Sequence, residues 1–344
     1  MNPLIWSTLI SSLLASTIIT MSSNHWLMAW MGLELNTLSV LPIMMKSHHP
    51  RATEATTKYF LIQATAATMI LLASILNAWQ TGQWSIHHTS PTATLLTTTA
   101  IMLKLGLAPV HLWYPQVLQG TTMNTALMIS TWQKIAPLTL LYMTHHNLNH
   151  TMLLLLGLTS VLVGGWGGLN QTQTRMIMAF SSIAHMGWLI TAMTMNPDLT
   201  TLAVITYMIM TTATFMPTAM TTKTITDMGI TWSLSPTTLT TTMITLMSLG
   251  GLPPLTGFMP KWLILKELTS MGLTTMATLI LLASLPSLFF YIRLAYMTML
   301  TTPPTTTNTE YKWRFKLNQP TYTTPMITTA ALMLPLTATL LTAT

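Results

Sequence analysis

Residues 237–268 read TTLTTTMITLMSLGGLPPLTGFMPKWLILKEL. As one unbroken helix this stretch would reach ~48 Å, well beyond a hydrocarbon core of ~30 Å. It carries its own interruption at Gly250-Gly251-Leu252-Pro253-Pro254-Leu255-Thr256-Gly257. Pro253 and Pro254 lack N–H groups, so the carbonyls of Leu249 and Gly250 lose their helical donors. Unwound backbone at membrane depth is tolerated only inside protein or beside a wet cavity. A second interruption lies in Gly106-Leu107-Ala108-Pro109-Val110-His111-Leu112-Trp113-Tyr114-Pro115, where Pro109 frees the carbonyl of Leu105.

The rest of the chain supports a membrane setting. Of 344 residues, 50% are apolar and only 6% charged, against about a quarter in ordinary soluble domains. Mean hydropathy is +0.53. The long Leu, Met, Ile and Thr runs do not alternate as barrel strands do. With ~20 residues per crossing and ~10 per loop, the length allows about eleven spans. The expected fold is all-α, a polytopic bundle with spans at 4–20, 25–45, 57–79, 92–113, 122–143, 151–168, 176–194, 199–220, 237–268, 273–299 and 325–343. Trp6, Trp26, Trp79, Trp84, Trp232 and Trp313 fall near span ends, where indoles favour headgroups.

The chain 1–344 is expected to form a single transmembrane domain, its first five-helix half covering about 1–145 and its second about 149–300. About 301–344 would hold an interfacial loop, with Tyr311-Lys312-Trp313-Arg314-Phe315-Lys316, and the last helix. The interruptions fall in spans four and nine, five helices apart. A five-helix repeat crosses an odd number of times, so its second copy is inverted, and matched broken helices in such halves point to a translocation site.

Lys46, Arg51, Lys58, Arg175, Lys223, Lys312, Arg314 and Lys316 all fall in or beside even-numbered loops. By the positive-inside rule these face the compartment of synthesis. No cleavable signal or transit peptide is visible at the start, Met1-Asn2-Pro3-Leu4-Ile5-Trp6. Cysteine is absent, which excludes disulfides and thiolate-held clusters.

Glu34, Lys104, Lys134, Lys261 and His185 fall within spans two, four, five, nine and seven. Lys266 and Arg293, nearer span ends, can snorkel to the headgroups. A mid-span lysine costs ~3 kcal/mol on insertion scales, so several together rival the net stability of a whole protein. Stability does not account for such placement; proton transfer does, because desolvation destabilises the charged forms of amine and carboxylate alike. A Glu–Lys pair ~7 Å apart interacts by about 2–3 kcal/mol at an effective dielectric of 20. Moving one charge against 100 mV costs ~2.3 kcal/mol, which favours a chain of coupled sites over a single pair. His185 and His111 are secondary relay candidates. Gly164-Gly165-Trp166-Gly167-Gly168 follows no strand and reads as close packing or a turn, not a dinucleotide loop. The loop histidines His87, His88, His145, His146 and His150 read as solvated, and the 31 methionines as packing residues.

At Pro50-Arg51-Ala52-Thr53-Glu54-Ala55-Thr56-Thr57-Lys58-Tyr59-Phe60, Lys104 to Trp113, Gly165 to Gln173, Ser181 to Trp188 and Gly250 to Trp262, the sequence resembles the chain 2 family of mitochondrial NADH–ubiquinone oxidoreductases. The resemblance covers most of the chain. It implies an antiporter-like, proton-translocating subunit in the membrane arm of respiratory complex I, in a form lacking three N-terminal helices of bacterial relatives. It maps Glu34 and Lys104 onto a coupled pair, Lys134 onto a central relay lysine and Lys261 onto an exit-side lysine. It also implies a multi-pass location in the mitochondrial inner membrane, with the basic loops facing the matrix. No cofactor or metal is expected in this chain; flavin and iron–sulfur clusters, NADH oxidation and quinone reduction would belong to other subunits. Expected partners are neighbouring antiporter-like and small membrane-arm subunits, membrane lipid including cardiolipin, and protons; nucleic acid is not expected. A stand-alone cation/proton antiporter and a purely structural scaffold are the rival readings.

Overall fold

Helix starts follow local chemistry. Asn2, His25, His49 and Ser90 each accept a backbone N–H one turn into the helix they precede, and proline opens three of those helices. The computed structural model describes residues 2–46, 48–221, 223–234, 236–300, 323–336 and 339. The expected interfacial strip at 311–316, with Trp313, and most of the last span's C-terminal end lie outside these residues.

Two compact units divide the chain, Met1–Leu156 and Gly157–Thr344. The first contains α1 (Pro3–Ser22), α2 (Trp26–Met45), α3 (Pro50–Thr81), α4 (Pro91–Leu105), α5 (Trp113–Gly120), α6 (Met123–Ser130) and α7 (Trp132–Met143). Helix α8 (His150–Gly168) follows, then α9 (Thr174–Met195), α10 (Pro197–Thr221), α11 (Ile225–Leu234), α12 (Pro236–Gly250), α13 (Phe258–Ser270), α14 (Thr274–Leu300) and α15 (Thr323–Leu332). Among the described residues, seven helices are long and apolar enough to cross a membrane: α1, α2, α3, α8, α9, α10 and α14. The protein is an all-helical polytopic membrane protein.

The remaining spans are assembled from shorter pieces. Helix α4 ends at Gly106 (φ 70°), with Leu107 N donating to Met102 O and Gly106 N to Leu103 O, the hydrogen-bond pattern of a Schellman stop. The chain resumes as a helix only at Trp113. Helices α12 and α13 flank the second interruption, where Gly251 has φ 81°. A third interruption, absent from the sequence reading, separates α6 from α7 at Thr131 (φ −111°, ψ −74°). Pro137, the nearest helix breaker, withholds a donor from the carbonyl of Gln133 in the first turn of α7.

Helix α11 occupies what reads as a loop in sequence. Asp227 accepts from the backbone of Lys223 and Thr224, and Thr224 Oγ1 accepts from Asp227 N. That reciprocal arrangement is a capping box, and the bonds from Thr224 hold the Asp227 carboxyl below the usual carboxylate range.

In the first unit α2 packs on α1 and α3, and α7 touches α1, α2 and α4. In the second, α10 lies against α9, α12 and α13, with α14 along α9 and α12. The glycine run of α8 is packing. A Cβ at Gly164 would sit 2.6 Å from Ala184 N on α9, and one at Gly168 would sit 2.8 Å from the Phe290 ring on α14. Trp79 and Trp84 are exposed, whereas Trp26, expected at an interface, is fully buried. The side chain of Trp232 lies outside the described residues.

Candidate functional site

In the first unit a small cavity, with room for no more than about one water, is bordered by Lys104 at the end of α4 and Lys134 in the first turn of α7. Neither lysine snorkels: Lys104 is 6% exposed and Lys134 4%. Lys104 Nζ and Glu34 Oε2 are both buried without a hydrogen-bond partner among the described residues. Glu34, on α2, nevertheless acts electrostatically on Lys104 and on Tyr59 of α3. The Lys134 ammonium stands 5.0 Å from the centroid of the Tyr114 ring, the face of a cation–π contact. Three of the four principal residues singled out in sequence thus fall in one neighbourhood of the first unit.

Neutral residues complete that neighbourhood. Tyr59 Oη donates to Gln133 Oε1 at 3.2 Å, and Gln133 Nε2 donates to Asn36 Oδ1 at 3.0 Å. Gln63 Nε2 reaches the carbonyl of Lys104 at 3.4 Å, beside the first interruption. Sequence reasoning missed these side chains, because an uncharged amide in a span is not costly enough to attract notice. The available signal was position: Asn36 lies two residues from Glu34, and Gln133 is next to Lys134. His111 does not border the cavity; it is half-buried, with Nδ1 3.3 Å from the Pro109 carbonyl.

The second unit has a small cavity, with room for about one water, bordered by Lys261, His185, Tyr207 and Thr206, among apolar neighbours. Lys261 Nζ donates to the Gly250 carbonyl at 2.9 Å. This is one of the two carbonyls that the prolines at 253 and 254 were expected to leave without a helical donor. Gly251 makes room for the contact, since a Cβ there would lie 3.0 Å from Lys261 Nζ. The hydroxyl of Thr256 donates to Ala330 O, tying the interruption to α15. His185 faces Tyr291 Oη at 3.5 Å and the Tyr207 ring at 5.6 Å between centroids.

Arg293 Nη1 donates to Leu169 O just beyond α8, at 2.5 Å, and Lys266 is exposed. Among the loop histidines, the His145 and His146 rings lie 3.6 Å apart. Among the described residues, no cluster of three or more His, Cys, Asp or Glu could hold a metal ion.

Comparison with known proteins places this arrangement. A family described as NADH:quinone oxidoreductase/Mrp antiporter, transmembrane region, matches residues 23–289, and one described as NADH dehydrogenase subunit 2 C-terminus matches 288–341. NADH-ubiquinone oxidoreductase chain 2 of Carassius auratus is 55% identical over 348 residues, covering 100% of both chains. The chain belongs to the NADH–ubiquinone oxidoreductase chain 2 family. Chain 2 of Xenopus laevis is 51% identical over 93% of this chain and 94% of its own. Chain 2 of Gallus gallus is 52% identical over 96% and 97%. Solved structures match in fold. A chain of respiratory complex I from Thermus thermophilus gives a TM-score of 0.85 at 24% identity, covering 100% of this chain and 79% of that one. A chain of the Mrp complex from Dietzia sp. gives 0.76 at 18%, covering 86% and 61%. As a chain 2 family member, the protein is an antiporter-like membrane-arm subunit of NADH:ubiquinone oxidoreductase, respiratory complex I.

Proposed function

We propose that the chain carries protons on its buried amines, with Glu34, Lys104 and Lys134 acting in the first unit and Lys261 with His185 in the second. The pocket shared by Lys104 and Lys134 carries this reading, because it brings two buried amines to one small space within the electrostatic reach of Glu34. Water admitted to the cavity links the two amines, and Glu34 acts electrostatically on Lys104. Movement of charge onto or away from Glu34 therefore loads or unloads Lys104, and quinone reduction elsewhere in the complex supplies the drive. The interrupted helices at Pro109 and at Gly250, Gly251, Pro253 and Pro254 are the points at which backbone dipoles face the path. His111, outside the cavity, has no role in this reading.

The proposed setting is the mitochondrial inner membrane, with the Lys- and Arg-bearing loops on the matrix side and anionic lipid, cardiolipin included, against them. For Lys261 the bond to Gly250 O also favours a scaffold role, and the two roles coexist on one amine.

The deciding experiment is Lys104→Met in assembled complex I reconstituted in vesicles, with protons pumped and electrons transferred measured together. Proton translocation is expected to fall with assembly preserved. Native pumping would overturn the reading.

A further inference from the structure

Lys134 stands in the first turn of α7, three residues after the interruption at Thr131. Few backbone bonds cross the break, Thr131 N to Leu127 O and Lys134 N to Thr131 O among them, so side-chain contacts add to the hold on this turn. Gln133 supplies two: its amide accepts from Tyr59 Oη on α3 and donates to Asn36 Oδ1 on α2. Asn36 lies two residues from Glu34, and all three members border the cavity of Lys104 and Lys134. Their exposures are 2% for Asn36, 2% for Tyr59 and 9% for Gln133, so losing any link strands a buried polar group. An amide carries no exchangeable charge in the physiological range, so it can hold a lysine in place without competing for its proton.

We infer that Asn36, Gln133 and Tyr59 form a positioning triad for proton transfer, locking the Lys134-bearing turn of α7 against the Glu34-bearing stretch of α2. The triad fixes where Lys134 stands relative to Lys104 across the cavity they share. None of the three is a catalytic residue; each acts through Lys134. The inference rests on the proposed role of Lys134.

The test uses reconstituted complex I bearing Gln133→Met, Gln133→Glu, Tyr59→Phe or Lys134→Met. Quinone KM, kcat, proton yield per electron and the pH profile are the readouts. Gln133→Met keeps the length and removes both bonds, so kcat and proton yield are expected to fall about five-fold with quinone KM unchanged. Tyr59→Phe removes one bond and is expected to cost about two-fold. In Gln133→Glu a protonated carboxyl can still donate to Asn36 and accept from Tyr59, whereas a carboxylate cannot donate. Glu34, Tyr59, Lys104, Tyr114 and Lys134 are the titratable groups around that position. Turnover of Gln133→Glu is therefore expected to be near native at low pH and to fall toward that of Tyr59→Phe as pH rises, since the carboxylate keeps the bond from Tyr59 and loses the one to Asn36.

Native kcat, proton yield and pH profile in the assembled glutamine variants would overturn the inference. If Gln133→Met fails to assemble, Gln133→Glu and Tyr59→Phe decide it on the same readouts. Normal pumping by Lys134→Met would remove the reading on which the triad rests, whereas failure of Lys134→Met beside native Gln133→Met would remove the triad alone.

Discussion

The two glycine–proline interruptions solve one problem in different ways. After α4 the carbonyl of Lys104 is reached by a neutral amide, Gln63, at a long 3.4 Å, and the Lys104 amine is left to the cavity. After α12 the carbonyl of Gly250 is taken by an ammonium, Lys261, at 2.9 Å. A lysine bonded to backbone is part of the scaffold whatever else it does; Lys104 makes no such bond among the described residues. Buried lysines that look alike in a sequence can therefore differ in how much of the fold depends on them.

The sharpest test of that difference is Lys104→Met beside Lys261→Met. Lys104→Met is expected to lower proton-coupled turnover by about tenfold or more while leaving the thermal inactivation temperature of assembled complex I unchanged. Lys261→Met is expected to lower both, because it strands the Gly250 carbonyl at a cost of about 1–3 kcal/mol. Equal thermal behaviour of the two variants would break the comparison.

Gly106→Ala and Gly251→Ala come next. Both positions have positive φ, and a Cβ would press on Tyr114 Cβ at 3.1 Å in the first case and on Lys261 Nζ at 3.0 Å in the second. Each is expected to cost about 1–2 kcal/mol, measured as thermal inactivation of the assembled complex, and only Gly251→Ala should also weaken the lysine–carbonyl bond. The smallest effect is expected for Gln63→Leu, below about 1 kcal/mol, given the length of the bond it removes. A loss as large as that of Lys261→Met would show that the amide holds the first interruption as firmly as the ammonium holds the second.

Much of this was legible in the sequence because charge and proline are loud signals in a span. Two prolines after Gly250 announced the orphaned carbonyl, and Lys261 was read separately as a buried amine; the structure joins the two facts. The quieter elements escaped. Thr224-Ile225-Thr226-Asp227 is a capping box, but the segment it opens is only ten residues long and reads as loop. The break at Thr131 has no glycine or proline of its own. Asn36, Gln63 and Gln133 are neutral, and what they do depends on which helices adjoin, which one chain's pattern does not reveal.

The threonines at the cavity rims carry one more consequence. Thr37 Oγ1 donates to Glu34 O at 2.8 Å, and Thr206 Oγ1 donates to Ala203 O at 3.0 Å. With the hydrogen of each hydroxyl turned back into its own helix, only oxygen lone pairs are offered outward. An edge of that kind accepts hydrogens from whatever meets it and leaves donation to the amines beside it.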